Sequence, residues 1–91
     1  MAAKGSPIVL VVDDERELCG LIQMLLESQG YRVVVAHDGA TAMRLVKDIK
    51  PDAMLLDSVM PEPNGMAVLG YVRDQSPGLP VKCLAESQLA F

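Results

Sequence analysis

Aromatic side chains are almost missing from this 91-residue chain, which has one phenylalanine, two tyrosines and no tryptophan. With 51% of its residues apolar, the interior must therefore be built from Val, Leu, Ile, Met and Ala. Basic residues are also few and scattered. Eight Lys and Arg against twelve Asp and Glu leave a net charge of −4. No cationic cluster offers itself to a phosphate backbone, which argues against a nucleic-acid surface. Long apolar runs are lacking too. Nothing approaches the roughly 20 residues of a membrane span, and the opening "MAAKGSP" is too short and polar for a signal peptide. A soluble, cytoplasmic chain is the expectation. Only two cysteines occur, Cys19 and Cys83, and they form neither a CxxC motif nor a disulfide framework. They read as small buried apolar residues in a reducing compartment, and with a single histidine present a structural zinc site is not expected. The length suits one small domain over residues 1–91, with residues 1–7 as an N-terminal tail and 85–91 as a C-terminal one.

What is present is an alternation of two periodicities. "IVLVV" (8–12) is a continuous β-branched run, as in a strand covered on both faces. Leu18, Leu21, Ile22 and Leu25 then recur at helical spacing until Gly30 stops the helix. "YRVVVA" (31–36) predicts a second strand. Asp38 is the natural N-cap of a second helix with Ala42, Leu45, Val46 and Ile49 on its apolar face, closed by Pro51. "AMLL" (53–56) predicts a third strand running into Asp57. Met66, Leu69 and Val72 mark a third helix, and "VKCLA" (81–85) a fourth strand interrupted by Lys82. Strands alternating with helices at this spacing predict βαβ units with right-handed crossovers and a parallel sheet.

The acids stand at particular places in that pattern. Asp13 and Asp14 follow the first strand, and Asp57 ends the third, just before "SVMPEPNG". In an open parallel sheet, ligands bind beyond the carboxyl ends of the strands. If the first and third strands are neighbours, the three carboxylates meet at one rim. A nucleotide site would place a glycine-rich turn there; this chain places acid. Three carboxylates repel a bare phosphate, so a cation must come first, and Mg2+ suits a set of carboxylate oxygens completed by phosphate and water. One acid could then act as nucleophile toward a phosphoryl group. The plainer alternatives are that Asp13 or Asp14 caps the first helix and that Asp57 shapes the turn before Pro61. Separate strands each ending in acid at one rim favour the shared site.

These residues resemble a known family. "IVLVVDDE", "GYRVVVAHDGATAM", "PDAMLLD" and "DSVMPEPNG", with the Met-Pro pair and the glycine eight residues after Asp57, are similar to the receiver domain of two-component response regulators, the single-domain chemotaxis type included. The resemblance spans residues 8 to about 84. It implies a flavodoxin-like open parallel α/β sheet of strand order 2-1-3-4, stopping short of the fourth helix, fifth strand and fifth helix of a full receiver. It implies Asp57 as the phosphoacceptor, served by a sensor histidine kinase, a phosphotransfer protein or a small acyl phosphate. Asp14 would ligate Mg2+ directly and Asp13 largely through water, with the Val59 backbone carbonyl as a further metal ligand and Pro61 and Gly65 shaping the loop that holds it.

Two departures from the family stand out. Where it places a Ser or Thr at the end of the fourth strand, this chain has Ala85, with Ser87 two residues on; and the lysine of the fifth strand has no counterpart. The uncovered fourth-strand edge and first-helix face lead to an expectation of self-association. A degenerate receiver that dimerises or docks without phosphotransfer is therefore the alternative function. A phosphatase of the haloacid-dehalogenase type needs a second acid two residues after the first, where Val59 stands, and ranks far lower. His37 reads as a plain loop histidine, and Met24, Met43, Met54, Met60 and Met66 mostly as core filler.

Overall fold

The computed structural model of the chain describes residues 5–57 and 64–84, the last of these by its backbone. Strands β1 (Ile8–Val12), β2 (Arg32–Ala36), β3 (Ala53–Asp57) and β4 (Val81–Leu84) alternate with helices α1 (Arg16–Ser28), α2 (Gly39–Ile49) and α3 (Gly65–Gln75). All pairings are parallel and the order is β2-β1-β3-β4, the order expected from the sequence.

This order places the helices. The chain leaves β1 for β2 on one side, then crosses back over β1 to reach β3 on the other. Right-handed crossovers running in opposite directions put their helices on opposite faces of the sheet. Accordingly, Val9 and Val11 face α1 and pack with Cys19, Ile22, Leu26, Val33, Val35 and Leu55. Leu10 and Val12 face the other way, toward Ala42 and Val46 of α2 and Val68 and Val72 of α3, with Met54 and Leu56 beside them. A strand covered on both sides must be apolar at every position, which is why β1 reads as an unbroken run.

Punctuation follows local chemistry. Gly30 takes a positive φ of 94° just past α1, and its N–H donates to the Glu27 carbonyl at 3.1 Å. Asp38 caps α2 by accepting from the Thr41 N–H at 2.8 Å. Asn64 does the same for α3, accepting from the Ala67 N–H at 3.0 Å. Replacing Asn64 by alanine is expected to cost about 1 kcal/mol, read as a lower urea midpoint with an unchanged slope.

Three expectations need correction. The apolar stripe of α1 that meets the sheet is Cys19, Ile22 and Leu26, whereas Leu21, Met24 and Leu25 are 63%, 67% and 65% exposed. The helix carries two apolar stripes, and spacing alone does not say which of them faces the sheet. In α3, Gly65, Val68 and Val72 are buried and Met66 is 66% exposed. Met24 and Met66 are thus surface residues; Met54 is core, Met43 packs at its margin, and Met60 lies outside the described residues. Boundaries move slightly as well. β2 begins at Arg32, leaving Tyr31 exposed, while β3 ends on Asp57 as expected. Among the described residues, no helix is long and apolar enough to cross a membrane.

Candidate functional site

Register brings the acids together. β1 pairs with β3 from Val9↔Ala53 to Val12↔Leu56, so the next residue on each strand, Asp13 and Asp57, stands level at the carboxyl rim. Asp14 follows in the loop to α1. The result is one cluster in which Asp13, Asp14 and Asp57 each present a carboxylate oxygen within 4.8 Å of the others. Asp13 is buried at 4% exposure, Asp14 is exposed and Asp57 lies between.

Asp13 is tied to the fold through both its backbone and its side chain. Its N–H donates to the Ala36 carbonyl at 3.0 Å, prolonging the β1–β2 ladder by one rung. Its Oδ1 accepts from the Glu15 N–H at 2.9 Å. That bond closes a turn before the helix; the N-cap of α1 is Glu15, which makes no side-chain capping bond. The reading of Asp13 or Asp14 as a simple cap for α1 thus gains nothing from the geometry. Burial pushes the Asp13 carboxyl above its ordinary range, and the negative charges of Asp57, Asp14 and Glu15 add to the rise, while the Glu15 N–H opposes it.

Such a pocket strains its own ionised form. Two full charges 4.8 Å apart repel by about 3.5 kcal/mol at an effective permittivity of ~20, before solvent on the open side screens them. A divalent cation relieves that repulsion, and an all-oxygen donor set matches Mg2+ or Ca2+ rather than a soft metal.

The remaining positions fall as follows. Val59, Pro61, Ala85 and Ser87 lie outside the described residues, and Gly65 is buried at the start of α3. Lys82 is exposed on β4, opposite Leu55. Cys83 is half-buried and Cys19 fully buried. Sequence reasoning missed one feature: the Asp13 carbonyl accepts from the Cys19 thiol at 3.3 Å and lies 3.1 Å from His37 Nδ1. A core cysteine and a loop histidine, 18 positions apart in sequence, give no sign of meeting on one carbonyl.

The family model of the response regulator receiver domain matches residues 9–89. The chain belongs to that family. A receiver domain of two-component response regulators accounts for both the sheet order and the acidic rim. The probable transcriptional regulatory protein TcrX of Mycobacterium tuberculosis is 40% identical over 83 residues, covering 90% of this chain and 36% of its own length. The transcriptional regulatory protein CpxR of Escherichia coli is 48% identical over 65 residues, covering 71% of this chain and 28% of that protein. The chain thus spans about a third of the curated relatives it matches. Among solved structures, chemotaxis protein CheY4 of Vibrio cholerae superposes with a TM-score of 0.83 at 25% identity, over 93% of this chain and 76% of that one. Response regulator TrrA of Thermotoga maritima, solved in complex with Mg2+-BeF, superposes with a TM-score of 0.79 at 29% identity, over 82% and 65% of the two chains. The receiver is flavodoxin-like in fold.

Proposed function

We propose that this receiver takes a phosphoryl group on Asp57 in a Mg2+-dependent reaction. The observation that carries the reading is the convergence, within 4.8 Å, of three carboxylates at the ends of two neighbouring strands. The relative crystallised with Mg2+-BeF supports it. Asp13, Asp14 and Asp57 are the residues that would hold the cation, with the Val59 carbonyl, outside the described residues, as a further ligand. Bound there, Mg2+ supplies charge neutralisation for acids that otherwise repel both one another and the incoming phosphoryl oxygens.

The chain's own part is positional. β3 delivers Asp57 at its end, partly buried and open to the rim. A carboxylate oxygen of Asp57 attacks phosphorus. The bond from phosphorus to the donor breaks as the new P–O bond forms, and the electron pair leaves with the imidazole of a phosphohistidine or the carboxylate of an acyl phosphate. Asp13 stays beside it, anchored by the Glu15 N–H, and would help hold the cation without bonding to phosphorus. The donor in a relay is a sensor histidine kinase or a phosphotransfer protein.

Incubation with acetyl phosphate and Mg2+, followed by intact-mass spectrometry, tests this. The expected result is a mass gain of one phosphoryl group that EDTA prevents. A folded chain showing no gain under any Mg2+ concentration would overturn the reading. The second reading, self-association without phosphotransfer, draws on the exposed Leu21, Met24 and Leu25 of α1 and on β4 as an outer strand of the described sheet. An unmodified chain that runs as a dimer in light scattering favours it.

A further inference from the structure

The ladder between β1 and β2 ends in an unusual way. It runs in register from Ile8↔Arg32 to Val12↔Ala36, with the Arg32 N–H donating to Pro7 and the Asp13 N–H to Ala36. In a parallel ladder, carbonyls turn toward a given neighbour at every second residue. The next to turn toward β2 is that of Asp13, and the in-register donor is the N–H of Asp38. Asp38 instead opens α2 as its N-cap, at φ −151° and ψ 163°. The Asp13 carbonyl receives side chains. His37 Nδ1 lies 3.1 Å away and the buried Cys19 thiol donates at 3.3 Å. One partner stands between β2 and α2, the other on α1 across the sheet.

We propose that His37 is a positioning residue for the acidic pocket: with the Cys19 thiol it fixes the Asp13 carbonyl and so aims the Asp13 carboxylate at the cation. A carbonyl offers only lone pairs, so the Nδ1 must carry the hydrogen. The neutral ring is therefore the Nδ1–H tautomer. Asp13 is then held at three atoms of its backbone and side chain: N–H to Ala36, carbonyl to His37 and Cys19, Oδ1 to Glu15. Its second carboxylate oxygen has one direction left to point. Groups that orient a metal ligand without touching the metal commonly matter tenfold or more to affinity. This inference rests on the Mg2+-dependent reading of the pocket and adds to it a residue that touches neither the ion nor the phosphoryl group.

Titration with Mg2+ by isothermal calorimetry on the full chain separates positioning from mere structural support. His37→Phe keeps a flat ring without the donor; His37→Asn keeps a donor at similar reach. The expected result is a Mg2+ dissociation constant raised about tenfold in His37→Phe and restored to near wild type in His37→Asn. Equal affinity in wild type and His37→Phe would overturn the inference while leaving the Mg2+ reading intact. A wild-type chain with no saturable Mg2+ binding would overturn both. Should His37→Phe fail to fold, the 15N spectrum of wild-type His37 decides. Protonated Nδ1 with a ring signal that moves on Mg2+ addition supports positioning, and an unprotonated Nδ1 or an unmoved signal refutes it.

Discussion

Asparagine at position 57 is expected to abolish phosphoryl uptake completely while leaving the fold intact. The substitution keeps the shape of the side chain and removes the nucleophile: an amide oxygen does not attack phosphorus as a carboxylate does. Asp57 ends β3 with its neighbours Met54 and Leu56 fully buried, so the strand itself holds without the acid. The same change removes one of the charges that raise the Asp13 carboxyl. The metal-free Asp57→Asn variant should therefore melt higher than wild type even as it loses all modification. Intact-mass spectrometry after acetyl phosphate treatment reads the first effect, circular dichroism the second. Persistent phosphorylation of Asp57→Asn would assign the chemistry to another residue.

The second large effect is a reversal of pH dependence on adding Mg2+. Burial and neighbouring charge lift the Asp13 carboxyl above its ordinary value of 3.8. Between that value and the raised one, the native state keeps a proton that the unfolded state has lost. Stability therefore falls as pH rises through this window, and the penalty is fully present above it. Asp38 works the other way. Hydrogen bonds from Thr41 hold it below 3.8, so its contribution is present above 3.8 and lost only in stronger acid. From neutral pH down to about 4, metal-free wild type should thus gain stability relative to Asp13→Asn. Saturating Mg2+ should invert the slope, because the ion requires ionised ligands. Asp13→Asn retains an oxygen for the Glu15 N–H and should be about 1–2 kcal/mol more stable than wild type without metal at neutral pH, a rise of roughly 4–8 °C per kcal/mol. It should also lose most of the Mg2+ stabilisation. Urea unfolding at two pH values, with and without Mg2+, measures all four quantities. Identical slopes in wild type and Asp13→Asn would show that the pocket is not the source.

Much of this architecture was legible because covered strands leave little choice of residue. Leu10 and Val12 face one helical layer and Val9 and Val11 the other, so β1 had to be apolar throughout, and its acidic end stood out. Asp38, Gly30 and Pro51 marked helix ends by local chemistry that needs no tertiary partner. The burial of α1 was less legible. Leu21, Met24 and Leu25 form as good a stripe as Cys19, Ile22 and Leu26, and only docking on Val33 and Val35 chooses between them. Convergence of the acids depended on β1 and β3 being neighbours, which periodicity does not dictate and topology does. The His37–Asp13 contact is a property of where β2 ends relative to β1, and no one-dimensional pattern encodes it.

The pairing of β1 with β3 has a kinetic side. Asp52, at the foot of β3, bonds the Ile8 N–H across a separation of 44 residues, and Asp13 and Asp57 are just as far apart at the other end. Closing so long a segment is an entropic cost met during the slow steps of folding. A cation held from both strands would have nothing to grip until that closure is done. Its binding energy would consequently accrue on the native side of the barrier, prolonging the lifetime of the assembled sheet and leaving the speed of its assembly almost untouched.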